Sequence, residues 1–88
     1  MSESIDLQPF PCFYTFKIFG RRTDLFVDRV RAIVGATLGP VPLDSVKVRE
    51  SAQRRYVSVT IYIRVESRTQ LERIYADLRD EKEVLLYI

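Results

Sequence analysis

Few side chains in this 88-residue chain have the chemistry of a catalytic group. The sequence has no histidine, so it offers no imidazole base and no histidine-containing metal site. The one cysteine, Cys12, lies between Pro11 and Phe13, and a thiol with apolar neighbours and no basic partner is expected to be unreactive. The three glycines are too far apart for a phosphate-binding loop. We therefore predict a protein that is not an enzyme and that uses no metal or cofactor.

Two pairs of arginines are candidates for binding a ligand. Arg21 and Arg22 follow Gly20 just before a predicted helix, and a helix N-terminus attracts anions through its free N–H groups and its dipole. Arg54 and Arg55 lie in a predicted hairpin loop, which the topology described below brings to the same end of the sheet. We predict that these four arginines and Gly20 form an anion-binding site.

Several acids reach the same end of the molecule. Asp80, Glu81 and Glu83 lie in the turn after the second predicted helix, and Asp77 precedes them. Carboxylates at a helix end usually form a hydrated surface, and exposed ion pairs contribute little to stability. The alternative interpretation of the arginine pairs is therefore charge compensation in water by Asp80, Glu81 and Glu83.

The central element of the fold is the stretch at residues 56–65, YVSVTIYIRV. Its β-branched residues alternate strictly with polar and aromatic ones, which is typical of a strand with one buried face. Shorter alternations predict three further strands, at residues 13–19, 46–49 and 84–88.

Two stripes of apolar residues with helical spacing predict two helices. The first covers residues 25–38, with Thr23 or Asp24 as its N-cap and Gly39 as a left-handed residue after its end. The second begins after residues 67–70, SRTQ, which have the form of a capping box. In a capping box, the first and fourth side chains each accept a hydrogen bond from the other residue's backbone N–H group.

These elements follow one another in the order β-α-β-β-α-β. Right-handed crossovers then put both helices on one face of a four-stranded antiparallel sheet with the strand order 4-1-3-2. The predicted fold is therefore an α+β, ferredoxin-like βαββαβ sandwich. We predict a single domain at residues 10–88, preceded by a flexible segment at residues 1–9.

Alternation also predicts what lies on the sheet face without helices. This open face carries aromatic, hydroxyl and basic side chains and no acid: Phe13, Thr15, Lys17, Phe19, Lys47, Arg49, Tyr56, Ser58, Thr60, Tyr62, Arg64, Leu85 and Tyr87. The candidate interface residues among them are Phe13, Lys17, Phe19, Tyr56, Tyr62, Arg64, Leu85 and Tyr87.

Three uses of this open face remain. An apolar patch of several hundred Å² usually marks an interface, which favours a homodimer. Single-stranded RNA can stack its bases on an aromatic and basic sheet, here on Tyr56 and Tyr62 beside Lys17 and Arg64. The RNA-binding signature is incomplete, however, because Ser58 stands where a second aromatic ring is expected. The third possibility is simple exposure to water.

Composition indicates which partners and which cellular compartment to expect for this protein. The net charge of +2 is too small to indicate a dedicated nucleic-acid binder. No stretch approaches the roughly 20 apolar residues that span a bilayer. The N-terminal residues carry acids and no basic region, so they do not resemble a secretory signal. A single cysteine fits a reducing compartment, and we expect a cytoplasmic protein with no membrane association.

Three segments resemble the YbeD-like family of small bacterial proteins. They are the opening block, which runs from Phe10-Pro11 to YTFKIFG at residues 14–20, the strand segment YVSVTI at residues 56–61, and the helix segment LERIYADL at residues 71–78. The resemblance implies the same ferredoxin-like fold, similar to that of ACT-type amino-acid-binding regulatory domains. It implies no established activity and no catalytic residues.

The chain departs from the family pattern at two positions. Val57 stands where a polar or histidine side chain is common, and Leu85 where a basic residue is common. Both changes make this copy more apolar. The function that we predict is a small regulatory or adaptor domain that binds an anionic metabolite or a protein partner. A single-stranded RNA-binding module is the alternative.

Overall fold

The structure is a computed structural model, and it describes residues 9–88. The flexible segment predicted at residues 1–9 therefore lies outside the described residues, except for Pro9. The elements are β1 (Cys12–Arg21), α1 (Phe26–Leu38), a short 3-10 turn (Leu43–Ser45), β2 (Val46–Glu50), β3 (Tyr56–Val65), α2 (Arg68–Asp80) and β4 (Val84–Tyr87).

The four strands form one antiparallel sheet in the order β2-β3-β1-β4, which confirms the predicted order and fold class. β3 is central because it pairs with β1 over ten positions and with β2 over five. β4 continues the sheet on the other side of β1. β2 and β4 are thus the edge strands of the described sheet.

The core lies between the sheet and the two helices. The aliphatic side of β3 provides Val57, Val59, Ile61 and Val65 to it, and all four are buried. The residues that cover them from the helices are Phe26, Val30 and Val34 of α1 and Ile74 and Leu78 of α2. Each such side chain contributes roughly 1.5–3 kcal/mol of burial free energy before chain entropy is subtracted. Both helices therefore pack on the same face, and the opposite face has no covering element among residues 9–88.

The first helix begins one residue later than the sequence suggests. Its N-cap is Leu25, whose side chain caps nothing, so the prediction of Thr23 or Asp24 as the N-cap is wrong. Thr23 contributes through its backbone, since its carbonyl accepts a hydrogen bond from the Phe26 N–H at 3.4 Å. At the other end, Gly39 has a φ of 89° and donates to the Gly35 carbonyl. The positive φ agrees with the prediction of glycine here, but the ψ of −179° lies outside the left-handed helical region that was predicted.

The second helix has Ser67 as its N-cap, as the capping-box pattern predicts. The Ser67 hydroxyl accepts a hydrogen bond from the Gln70 N–H at 3.2 Å. The returning bond differs from a full capping box, because the Gln70 side chain accepts from the N–H of Glu66, at 2.8 Å, and not from that of Ser67. The two bonds therefore fix the chain one residue further back, where β3 ends.

The last strand has a β-bulge that changes its faces. Phe19 pairs with Leu86, and the next residue of β1, Gly20, pairs with Val84, so Leu85 is the extra residue. Tyr87 lies opposite the buried Ile18, and its ring is 5.7 Å from that of Tyr75 on α2. The prediction that Tyr87 lies on the open face is therefore wrong, because the bulge breaks the alternation on which it rested.

Candidate functional site

The open face is an aromatic and basic surface, as the alternation of β1 and β3 predicts. The residues that the register assigns to it are Phe13, Thr15, Lys17, Phe19 and Arg21 of β1, Lys47 and Arg49 of β2, Tyr56, Ser58, Thr60, Tyr62 and Arg64 of β3, and Leu86 of β4. No acid is among them. Leu86 joins the surface in place of Tyr87, beside Phe19. Leu85, predicted there too, is exposed at the bulge.

A groove runs along the middle of the open face because short side chains lie between long ones. Thr60 of β3 has Lys17 of β1 directly opposite on one side and Lys47 of β2 on the other. One row further along, Ser58 lies between Phe19 and Arg49 in the same way. The resulting hollow has a volume of about 570 Å³ and is lined by basic, hydroxyl and apolar residues.

The three cations of this groove have no acidic partner among residues 9–88. Lys17, Lys47 and Arg49 are exposed, and none takes part in an ion pair or a side-chain hydrogen bond. Neighbouring strands lie about 4.8 Å apart, so the two lysines, one strand on either side of β3, start from backbones about 10 Å apart. That spacing allows both long side chains to reach one anion above Thr60.

Aromatic residues lie at both ends of this groove. At one end, Phe19 and Tyr56 line a smaller hollow of about 250 Å³, which also includes Glu50 and Ser51. At the other end, the rings of Phe13 and Tyr62 stack on each other, with centroids 5.1 Å apart. One face of each of these two rings is therefore already covered.

A third hollow, of about 410 Å³, adjoins the stacked pair. It is lined by Phe13, Thr15, Asp44, Ser45, Lys47, Thr60 and Tyr62. Asp44 gives this end of the groove a carboxylate. The middle of the groove is consequently its most favourable part for a negative charge.

The anion-binding site predicted at the loop end has a different character. The backbone brings its two arginine pairs together, because the Arg22 N–H donates to the Arg55 carbonyl at 2.9 Å. Glu50, at the end of β2, pairs with one arginine of each pair: its carboxylate lies 2.7 Å from Nε of Arg22 and 3.7 Å from Nε of Arg54. The hydrogen bond from Arg22 holds the pKa of Glu50 below its usual range. Arg21 lies apart, on the open face opposite Tyr56.

Charge compensation at this end thus involves a different acid from the ones that the sequence suggested. That alternative interpretation placed Asp80, Glu81 and Glu83 near Arg21 and Arg22. Instead, Glu81 lies 3.7 Å from Arg29 of α1, and the Asp80 carboxylate lies 3.3 Å from its neighbour Arg79. Glu50 was not singled out, although its position directly after the alternating KVR of β2 places it at the mouth of the hairpin.

Gly20 is a packing residue in this structure. It is buried, and a Cβ atom at this position would lie 2.3 Å from the Phe26 ring and 2.6 Å from the Glu83 carbonyl oxygen. β1 must therefore have glycine here for α1 and the segment before β4 to approach it. The same covering groups prevent a ligand from reaching Gly20 from the helix side.

Two other predicted site residues have partners or exposures that bear on RNA binding. Arg64 lies 3.4 Å from the carboxylate of Glu66, so its charge is partly compensated. Tyr56 and Tyr62 are exposed by 45% and 55%. The sequence prediction omitted Lys47 and Arg49 from the candidate site, although the alternation in β2 puts both on the open face.

Two further features, a metal site and a membrane-spanning helix, have no candidate among the described residues. Within residues 9–88, no group of three potential metal ligands from His, Cys, Asp and Glu comes together. In the same part of the chain, no helix is long and apolar enough to cross a membrane.

Comparison with known proteins gives matches over almost the whole chain. A family model described as "Protein of unknown function (DUF493)" matches residues 6–88. The UPF0250 protein of Shewanella piezotolerans is 37% identical over 84 residues, which cover 91% of this chain and 92% of that protein. The UPF0250 protein of Chromobacterium violaceum is 34% identical over 76 residues, with coverages of 86% and 85%. The names of these relatives carry no activity.

One solved structure has the same architecture. The solution structure of protein HP0495 from H. pylori matches with a TM-score of 0.67 over 97% of this chain and 92% of that chain. The two sequences are 13% identical, so the likeness shows the fold alone.

Proposed function

Because this chain belongs to the DUF493 family of proteins of unknown function, we propose its function from its own structure: it is a small, non-enzymatic regulatory or adaptor domain whose open sheet face binds an anionic partner. Membership of this family confirms the sequence resemblance to YbeD-like proteins. The names of the family and of its members identify no ligand, so we infer the ligand class from the side chains on the surface of this chain.

The observation that carries this proposal is the contrast between two groups of cations. At the loop end, Arg22 and Arg54 share the carboxylate of Glu50. On the open face, Lys17, Lys47 and Arg49 surround two hydroxyl residues with no acid close enough to pair with them within residues 9–88. Adjacent like charges repel each other, and a bound anion removes that repulsion. Either an anionic metabolite or an acidic segment of a protein partner would provide this negative charge.

Amide NMR titration tests the proposal with two probes, inorganic phosphate and a hexaglutamate peptide. We expect chemical-shift changes at Lys17, Lys47, Ser58 and Thr60, and weaker binding as salt is added. Lys47→Gln is expected to weaken binding, whereas Arg73→Gln on the exposed side of α2 is the charge-matched control. Changes confined to the loop-end arginines, or none with either probe, would contradict a site on the open face.

Single-stranded RNA binding is a second candidate, favoured by the exposed rings of Tyr56 and Tyr62 at opposite ends of the groove. They are six positions apart, which is roughly 20 Å along a strand. Two features weigh against it: Tyr62 already stacks on Phe13, and Arg64 is paired with Glu66. This candidate requires binding of mixed-sequence RNA at about 50 mM salt, where phosphate contacts are strongest.

A homodimer through the open face is disfavoured by the same charges. A two-fold axis parallel to the sheet, lying over its open face, would bring a face with three uncompensated cations against its copy, and like charges in contact oppose association. We propose that the domain works in the cytoplasm without pairing through this face. Sedimentation at about 100 µM tests this, because association follows mass action. A dimer that Tyr62→Asp dissociates would contradict it.

A further inference from the structure

We infer that the ligand of the open face is a phosphorylated small molecule with a planar ring, of the nucleoside monophosphate type. This inference rests on the proposed function and narrows it to a ligand class. Its phosphoryl group lies above Ser58 and Thr60 between the three groove cations, and its ring lies in the smaller hollow between Phe19 and Tyr56.

The middle of the groove matches a phosphoryl group in charge and in hydrogen-bond donors. Lys17 and Lys47 approach Thr60 from opposite sides, and Arg49 approaches Ser58. A phosphate monoester carries a charge of about −1.5 to −2 at pH 7 and three acceptor oxygens. Three cations and two hydroxyl groups can satisfy these oxygens together, whereas a single carboxylate would leave part of the positive charge uncompensated. The guanidinium can also donate two parallel hydrogen bonds to one phosphate.

The adjacent hollow matches a ring. Its wall is mainly apolar, and aromatic side chains from two strands, Phe19 of β1 and Tyr56 of β3, line it. Tyr56 is 45% exposed, and it forms no ring stack with another aromatic residue of the described chain. A planar ring can therefore pack against it, as bases do on exposed aromatic residues.

The smaller hollow beside Tyr56 adjoins the cationic hollow in the middle of the groove, so one ligand can occupy both. They share Phe19, Arg49 and Ser58 as lining residues. Tyr56 of the smaller hollow and Ser58, which lines both, are two residues apart along β3, roughly 7 Å. A nucleoside monophosphate has its ring and its phosphate at the two ends of one sugar, so that it spans such a step. A ring-free phosphate would fill only the cationic hollow.

The ring site discriminates little between bases. The two polar residues that line this hollow and not the larger one are already engaged: Glu50 with Arg22, and the Ser51 hydroxyl as acceptor from the Tyr56 N–H at 3.2 Å. We therefore expect recognition of ring and phosphate together, with similar affinities for different bases.

Calorimetry and amide NMR with three probes test the inference: adenosine 5′-monophosphate, adenosine and inorganic phosphate. Joining the two halves makes the second contact intramolecular, so we expect the nucleotide to bind at least about tenfold more tightly than either part. The shifted amides should lie in both hollows, from Tyr56 to Thr60.

Substitutions of two exposed side chains distinguish the contribution of the phosphate from that of the ring. Lys47→Gln is expected to weaken the nucleotide and inorganic phosphate alike, by roughly three- to tenfold for one lost charge contact. Tyr56→Ser is expected to weaken the nucleotide and leave phosphate unchanged. Arg73→Gln, on the helix layer, should change neither. An unaltered amide spectrum away from the substituted residue verifies that each variant is folded.

The outcomes distinguish this inference from the proposed function. A nucleotide that binds no more tightly than phosphate overturns the ring site and leaves anion binding by the open face intact. A mixed-sequence RNA hexamer that binds more than tenfold tighter than the nucleotide also overturns it, in favour of RNA. If neither phosphate, hexaglutamate nor the nucleotide binds, both fail together.

Discussion

At the scale of single residues, Glu50 compensates the charge of two arginines at the loop end of the sheet. It occupies the end of β2 and receives the side chains of Arg22 and Arg54. Arg49, one residue earlier in the same strand, points to the opposite side of the pleat from its neighbours and keeps its charge uncompensated on the open face. Adjacent residues thus have opposite roles because a strand alternates.

The Glu50–Arg22 bond has a measurable electrostatic consequence. The pKa of Glu50 is lowered, first by the hydrogen bond from Arg22 and then, against an opposing effect of desolvation, by the charges of Arg22 and Arg54. A lowered carboxyl pKa contributes stability above the unfolded value, and this contribution is lost as the pH falls through the folded value. We expect Arg22→Gln to return the pKa toward its ordinary value in an NMR titration of the carboxyl carbon. Arg55→Gln is the control, and an equal effect of both substitutions would refute the specific bond.

Two glycines offer a matched test of packing. Gly20→Ala forces a Cβ atom against the Phe26 ring and the Glu83 carbonyl, and overpacking of this kind costs about 1–3 kcal/mol or more. Gly35→Ala, in α1, meets nothing within 4 Å and is expected to stabilise the helix by about 0.5–1 kcal/mol. Denaturant unfolding of both variants measures the difference. Equal free energies of unfolding would show that Gly20 is not confined as described.

At the scale of elements, hydrogen bonds at strand and helix ends set the positions of the connections. Ser67 and Gln70 tie the start of α2 to the end of β3 through two bonds. The bulge at Leu85 shifts β4 by one residue relative to β1. This shift exchanges Tyr87 for Leu86 on the open face, and so places a second tyrosine, beside Tyr14, against Tyr75 of α2.

The cap of α2 gives a test at this scale. Ser67→Ala removes the acceptor for the Gln70 N–H, and loss of such a cap typically costs about 1 kcal/mol of the free energy of unfolding. Thr69→Ala is the control in the same turn, where the exposed side chain caps nothing. Chemical denaturation compares the two. A Thr69→Ala variant as destabilised as Ser67→Ala would show that the hydroxyl bond is not the cause.

At the scale of the whole molecule, the two layers of the sandwich have opposite surface chemistry. The helix layer covers an aliphatic core and an aromatic cluster in which Tyr75 lies 5.5 Å from Phe16 and 5.7 Å from Tyr87, ring centre to ring centre. The open layer concentrates cations and hydroxyls along β3. The open face is therefore separated from the hydrophobic core by the sheet itself.

The aromatic cluster predicts sensitivity to alkaline pH. Burial, together with the neighbouring Tyr14 hydroxyl, raises the pKa of Tyr75 well above its ordinary value. A raised pKa stabilises the fold below the unfolded value, about 10, and this contribution is lost as the pH rises above it. We expect stability to fall from about pH 9.5 upward because the unfolded tyrosine ionises first. Tyr75→Phe should reduce the slope of stability against pH, measured by denaturant unfolding, and Tyr62→Phe should not. An unchanged slope for Tyr75→Phe would contradict the assignment.

The sequence by itself determined the architecture, because periodicity is a local property. The alternation at residues 56–65, the helical stripes and the order of the elements were enough for the α+β sandwich and its strand order. The same alternation identified the basic and aromatic open face, apart from the last strand. A bulge interrupts a period of two, and nothing in VLLY marks which residue is extra.

Only the tertiary structure decided which cations are compensated, since ion pairs join residues far apart in the chain. Glu50 and Arg22 are 28 positions apart, and the sequence offered three nearer-looking acids for the same arginine. The structure also gave Gly20 its role, because the ring that covers it belongs to another element. Composition and alternation fix which face a residue occupies, whereas distance in three dimensions fixes which charges remain for a ligand.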